Sequence, residues 1–142
     1  MKRCQEGKTK AASNRVEKLL IRRAAAARKL AYAPYSGFRV GAALLAESGK
    51  IYCGVNVENA SFGATICAER NAFWQAVAAG ERRFRMLALV TGQYPPAPPC
   101  GLCLQVISEF CEDLPLLLAD VRGRLVRSSL RQLLTRRFCL KK

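Results

Sequence analysis

The chain predicts an α/β fold, a three-layer α/β/α sandwich around a mixed five-stranded sheet. Helix-periodic and extended apolar segments follow one another as helix, hairpin, helix, strand, helix, strand, strand, helix. A length of 142 residues suffices for one domain with a sizeable core but not for two ordinary ones. Hydrophobic residues make up 51% of the chain, too many for a disordered polymer, while runs such as "VGAALLA" fall far short of a membrane span.

Each element has its own signal. From Val16 to Ala31 the apolar Val16, Leu20, Ala27 and Ala31 recur at helical spacing, with Arg22, Arg23, Arg28 and Lys29 between them, until Pro34 and Gly37 break the pattern. "FRVGAALLAESGKIYCGVNV" holds two extended runs around the turn residues Ser48 and Gly49, a hairpin signal. "NASFGAT" is loop, and "CAERNAFWQAVAAG" is a helix that stops at Gly80. "MLALVTG" reads as a buried strand and the proline-rich "QYPPAPP" as a stiff loop. "CGLCLQVISEFC" resumes helical periodicity, "LPLLLAD" and "GRLVRS" are two more strands, and "SLRQLL" is a short closing helix. Residues 1–142 are expected to form a single domain, with 1–13 a flexible basic tail.

Seven cysteines, an odd number without a secretory signal, favour metal binding or thiolate chemistry over a disulfide framework. The first thirty residues share the basic, acid-poor bias of a transit peptide. No apolar signal-peptide region or small-residue cleavage site follows, so the cytoplasm is the simpler expectation, with no membrane association. The net charge of +14 is unevenly placed: residues 1–29 and 122–142 hold eighteen Lys and Arg against only Glu6 and Glu17, whereas 30–121 hold six basic and eight acidic residues. The cysteine-bearing middle is therefore not the source of the charge. Solubility or loose RNA association through the basic ends is the plainer account, and nucleic-acid binding stays open.

Cys67 and Cys100 both stand where a loop turns into a helix, and free N–H groups at a helix start favour thiolates. Cys100 and Cys103 are three apart, so they share a face of the first turn, and Cys67 can add a third sulfur from another helix. Zinc held by three thiolates at about 2.3 Å keeps a fourth position for water. Glu69 is placed to move protons at that water, and Arg70 with the two helix starts offsets the surplus negative charge. A plainer reading exists: two cysteines three apart are often core residues or half of a structural zinc knuckle. A structural site needs a fourth ligand, however. The chain has no histidine, and Cys4, Cys53, Cys111 and Cys139 read as tail, strand, helix end and tail.

"CAE" from Cys67 and "PCGLC" from Pro99 fit the three-cysteine pattern of zinc deaminases. Together with "YAPYSGFRVGAALL", "GVNVENASF", "CAER", "PCGLCLQVISEF" and "LLTRRF", the chain from about Ala31 to Phe138 resembles the small homotetrameric cytidine deaminases of nucleoside salvage. The resemblance implies one zinc per subunit on Cys67, Cys100 and Cys103, with Glu69 catalytic. It implies a pyrimidine nucleoside as substrate, with Phe38 against the base, Asn56 and Glu58 on the ribose, and the Ala68 backbone beside the base. Phe138 would enter a neighbouring subunit's site. Each substrate contact also has a structural reading: Phe38 as core, Asn56 and Glu58 as a solvated strand end, Phe138 as a helix-end anchor. Leu104 stands where the family commonly has arginine, Phe62 where tyrosine is common, and Thr135 where proline is usual.

The expected activity is hydrolytic deamination of cytidine and 2′-deoxycytidine. The alternatives are a related deaminase of polynucleotide cytosine or of an antibiotic nucleoside such as blasticidin S, and a non-enzymatic zinc-structural or nucleic-acid-binding module.

Overall fold

The structure, a computed structural model, describes the backbone of residues 3–140 and the side chains from residue 13 to 140. Five strands form one sheet in the order β2-β1-β3-β4-β5. Strands β1 (Gly41–Ala46) and β2 (Ile51–Val55) make the expected hairpin, paired from Gly41↔Val55 to Leu45↔Ile51, and Gly49 at φ 88° occupies the turn conformation that a side chain disfavours. Strand β3 (Phe84–Thr91) is antiparallel to β1 and parallel to β4 (Pro115–Asp120), and β5 (Leu125–Ser129) closes the edge antiparallel to β4. The sheet is mixed, as expected.

Helix α1 (Arg3–Arg28) covers one face; α2 (Ala68–Ala78), α3 (Gly101–Phe110) and α4 (Leu130–Leu133) cover the other. Strand β1 explains why its sequence is continuously apolar. Ala42 and Leu44 face the α2 and α3 side while Ala43 and Leu45 face α1, and all six of its residues are buried. On the larger side Phe73 packs edge-on against Phe84 with ring centroids 4.8 Å apart and stacks on Phe110 at 5.8 Å, tying α2 to both β3 and α3.

Helix α1 begins well before the expected Val16, and its backbone runs into the residues read as a basic tail. Those residues hold good helix formers and no proline, yet little apolar periodicity to reveal them. Of the expected stripe Leu20 and Ala31 are buried and Val16 and Ala27 half-buried, and Ala24, one turn after Leu20, is fully covered as well. Among the described residues no helix is long and apolar enough to cross a membrane.

Strands β2, β3 and β4 all end at the same edge of the sheet, because β2 and β3 are each antiparallel to β1 and β3 is parallel to β4. In open α/β sheets this carboxyl edge is where ligand sites form. The chain leaving β2 reaches the start of α2 there, and the chain leaving β3 reaches the start of α3. At the end of β4 the carboxylate of Asp120, 3% exposed, accepts the N–H groups of Arg122 and Arg124 at 2.9 and 2.8 Å and the Arg124 guanidinium at 2.6 Å. Burial pushes its pKa up, but these N–H groups and the guanidinium outweigh it and hold the carboxyl below its ordinary value. Arg124 in turn lies 3.8 Å over the ring of Tyr94, in the loop after β3.

Close backbone approach sets the height of α2 above the sheet. A Cβ on Gly54 would sit 2.1 Å from the Ala68 carbonyl oxygen and 2.5 Å from the Ala72 nitrogen, both main-chain atoms of α2. Gly54→Ala is therefore expected to destabilise the fold by about 3 kcal/mol, at the upper end for overpacking, because backbone must move. Urea unfolding checks this, and an unchanged midpoint would mean that α2 does not ride on Gly54.

Candidate active site

Cys67 is the N-cap residue of α2 and Cys100 that of α3, and neither thiol caps its own helix. Both sulfurs are thus left to face outward from two helix starts. Cys103, one turn into α3, is fully buried. The Sγ atoms of Cys67 and Cys100 are 3.8 Å apart, those of Cys100 and Cys103 3.5 Å, and all three lie within 4.8 Å of one another. Sulfurs on a tetrahedral zinc with bonds of about 2.3 Å stand about 3.8 Å apart, so the donor set fits that ion in type and spacing. Among the described residues no fourth protein donor joins the cluster.

Arg70, on the first turn of α2, donates from Nη2 to Cys67 Sγ at 3.4 Å and to the Thr65 carbonyl at 3.5 Å. Its Nε is buried with no partner among the described residues. A hydrogen bond from the Cys103 thiol, together with the bonds and charge of Arg70, outweighs burial and pulls Cys67 down to about 5. The Cys103 thiol is pushed upward by that same hydrogen bond to Cys67, by burial and by the charge of Glu69. Metal binding at such a cluster displaces thiol protons.

Glu69 is 5% exposed. Burial, reinforced by the Cys67 charge, pushes its carboxyl up to about 7 against the pull of its backbone N–H and of Arg70. A carboxylate so placed exchanges protons near neutral pH. The two helix starts thus bring Cys67, Ala68, Glu69, Arg70, Cys100 and Cys103 to one place.

The other expected residues are arranged around it by backbone ladders. Val57 and Ile66 exchange two N–H···O bonds of 3.0 Å, which lays the segment with Asn56 and Glu58 beside the residue preceding Cys67. Asn56 is 9% exposed; its Oδ1 accepts the Val40 N–H at 2.8 Å and its Nδ2 donates to the Phe38 carbonyl at 2.7 Å. Glu58 accepts the Tyr35 and Ser36 N–H groups at 2.8 and 3.2 Å and the Ser36 hydroxyl. Both side chains therefore brace the loop carrying Phe38, which is 38% exposed. Phe138 is not at the thiol cluster of its own chain. It is 69% exposed; the Gln105 side-chain amide of α3 donates to its carbonyl at 2.9 Å and accepts its N–H at 3.2 Å.

Leu104 packs into the core at 7% exposure, so Arg70 is the cation at the cluster and position 104 contributes apolar packing instead. Phe62 is 78% exposed, with its ring edge against Tyr35. Sequence reading missed Ser36, Asn71 and Thr65. Asn71 donates to the Val55 carbonyl at 3.0 Å, and the Thr65 hydroxyl accepts the Asn59 N–H at 3.1 Å. No local pattern marks them, because several of their partners lie far along the chain.

A metal-ready thiol triad and a buried carboxylate at the carboxyl edge of a mixed sheet define the zinc-dependent deaminase class. The family described as the cytidine and deoxycytidylate deaminase zinc-binding region matches residues 14–115, and the chain belongs to that family. A cytidine deaminase of Sporosarcina psychrophila is 49% identical over 120 residues, covering 84% of this chain and 88% of its own. One from Halalkalibacterium halodurans is 44% identical over 117 residues, with 82% and 89% covered. The crystal structure of a cytidine deaminase from Burkholderia pseudomallei superposes with a TM-score of 0.82 at 45% identity, covering 85% of this chain and 98% of that one.

Asn56→Asp keeps the acceptor for Val40 but sets an oxygen against the Phe38 carbonyl where a donor stood. The expected loss is about 1–3 kcal/mol of stability. Thermal unfolding reads it, and a melting temperature equal to the native one would show that the amide does not brace this loop.

Proposed function

We propose that the chain catalyses the hydrolytic deamination of cytidine and 2′-deoxycytidine to uridine and 2′-deoxyuridine, with release of ammonia. The observation that carries this reading is the placement of buried Glu69 on the same helix turn as Cys67, beside a thiol cluster at zinc spacing. Cys67, Cys100 and Cys103 would hold one zinc per subunit. Zinc, when bound, supplies Lewis acidity that makes a water nucleophilic at neutral pH. The remaining work falls to the chain. Carbon C4 of the base gains the water oxygen and loses its amino nitrogen, and Glu69 carries one of the water's two protons to N3 and the other to the departing amine, which leaves as ammonia. Its pKa of about 7 suits both halves of that transfer. Arg70 offsets the excess negative charge of three thiolates around a dication.

In this reading Phe38 packs on the pyrimidine, the Ala68 backbone meets the base, and Asn56 and Glu58 contact the ribose. The two polar side chains are rigidified for this by their bonds to the 35–40 loop. Assembly into a homotetramer is part of the same proposal, with Phe138 supplied by a neighbouring subunit. Its support on this chain is the exposure of Trp74 at 47%, Leu102 at 67% and Phe138 at 69%, apolar side chains that a partner would cover. A cytoplasmic enzyme of pyrimidine salvage, formed by residues 1–142 as one domain, completes it.

Glu69→Gln is expected to retain zinc and to lower kcat by about 10²–10⁴ or more, since only the proton carrier is lost. Alanine at any one of Cys67, Cys100 or Cys103 is expected to lose zinc and activity together. Ammonia release from cytidine and elemental analysis of the same samples measure both; full turnover by the Gln variant would end the proposal.

A further inference from the structure

The basic end segments are not independent tails in this fold. Arg127 on β5 pairs with Glu17 on α1 at 2.7 Å, so the helix and the sheet edge meet, and the acidic side chain on that part of α1 is neutralised. Arg15, Lys18, Arg22 and Arg23 on α1 and Arg122 in the β4–β5 turn are all exposed, and none forms an ion pair among the described residues. Arg15, Lys18 and Arg22 stand three and four residues apart, so they form one ridge along the helix.

An exposed aromatic ring stands near the C-terminal end of the same helix, on the side of Arg28. At the end of α1 the Arg28 guanidinium lies 2.8 Å from the point where a side chain on Gly92 would begin, two residues before Tyr94. Tyr94 is 55% exposed, and the Arg124 guanidinium sits 3.8 Å over its ring. Cations that follow a line, together with an exposed ring, suit a polymer with a phosphate backbone and unpaired bases. A membrane surface fits less well. The apolar stripe of α1, with Leu20 and Ala24 fully buried, is spent on the sheet, and Leu19, 37% exposed, is too small an apolar surface to anchor the helix in lipid.

We propose that the outer face of α1, together with the β4–β5 turn and Tyr94, is a docking surface for single-stranded RNA. None of its residues belongs to the thiol cluster, and the proposal does not depend on the deaminase reading. The surface holds the protein to RNA by charge and stacking rather than by base sequence.

Fluorescence anisotropy of the full chain with a labelled oligouridine of about twenty nucleotides tests this, because that probe contains no cytosine to deaminate. Five phosphate contacts predict a salt slope near −3.5, which is roughly a hundredfold loss of affinity between about 50 and 200 mM salt. The double variant Lys18→Gln/Arg22→Gln is expected to bind at least tenfold more weakly at low salt, with a slope shallower by about 1.4. Tyr94→Leu is expected to weaken binding about fivefold or more without changing the slope. Absence of oligouridine binding, or a double variant with native affinity and slope, overturns the proposal. So does equal or tighter binding to phosphatidylglycerol vesicles, which would assign the surface to membranes. Cytidine deamination, measured on the native chain and the double variant, keeps the two readings apart. An active enzyme that ignores oligouridine sinks only the docking surface, and an inactive one that binds it sinks only the catalytic reading.

Discussion

Two helices must start at the same edge of one sheet, with their first turns in contact through sulfur, before any of the chemistry can exist. Helix starts carry partial positive charge and free N–H groups, so they are among the few places where several thiolates can be gathered without prohibitive repulsion. Cys67 and Cys100 use the two N-cap positions, and Cys103 sits one turn further in, fully buried. The parallel pairing of β3 with β4 creates this edge, since it forces the crossover that carries α3. Gly41 and Gly54 then allow α1 and α2 to lie almost on the sheet backbone from opposite sides.

Arg70 and Glu69 show how that arrangement is balanced. A buried carboxylate beside a thiolate is unfavourable, and both burial and the neighbouring charge push Glu69 upward. Arg70 opposes the same negative charge from the next residue, and its Nη2 contacts Cys67 directly at 3.4 Å. The site thereby stores an acid poised near neutrality at some cost in stability, which is the usual signature of a group that must gain and lose a proton. The substitution of leucine at position 104 leaves this balance to Arg70 and to the helix starts, while the leucine joins the core.

The rest of the molecule separates its tasks in space. The middle of the chain, which holds the site, carries slightly more acid than base, and the strong positive charge is confined to residues 1–29 and 122–142. The Glu17–Arg127 pair joins α1 to β5, whereas Arg137 lies on the opposite side of the sheet, bound to Ser108 and Glu112. The arginine of the Glu17–Arg127 pair is 61% exposed, so the pair is worth little in stability. Its consequence lies in the shape of the surface potential, because it removes negative charge from a ridge of cations.

Local spacing made much of this legible before any coordinates. Helical and extended periodicities located every strand and helix to within a few residues except the start of α1, where a basic, acid-poor stretch has no apolar stripe to read. Cysteines three apart on a first turn, and a glutamate two residues after another cysteine, are fixed by helix geometry and so were visible in one dimension. The tertiary structure alone decided that Cys67 comes within 3.8 Å of Cys100 across a separation of 33 residues. It also decided that Asn56 and Glu58 brace the loop of Phe38, and that Arg127 reaches Glu17 across 110 residues. Neighbours along a helix are set by its own repeat, whereas these contacts depend on how closely glycine and alanine let separate elements approach, a quantity no local pattern encodes.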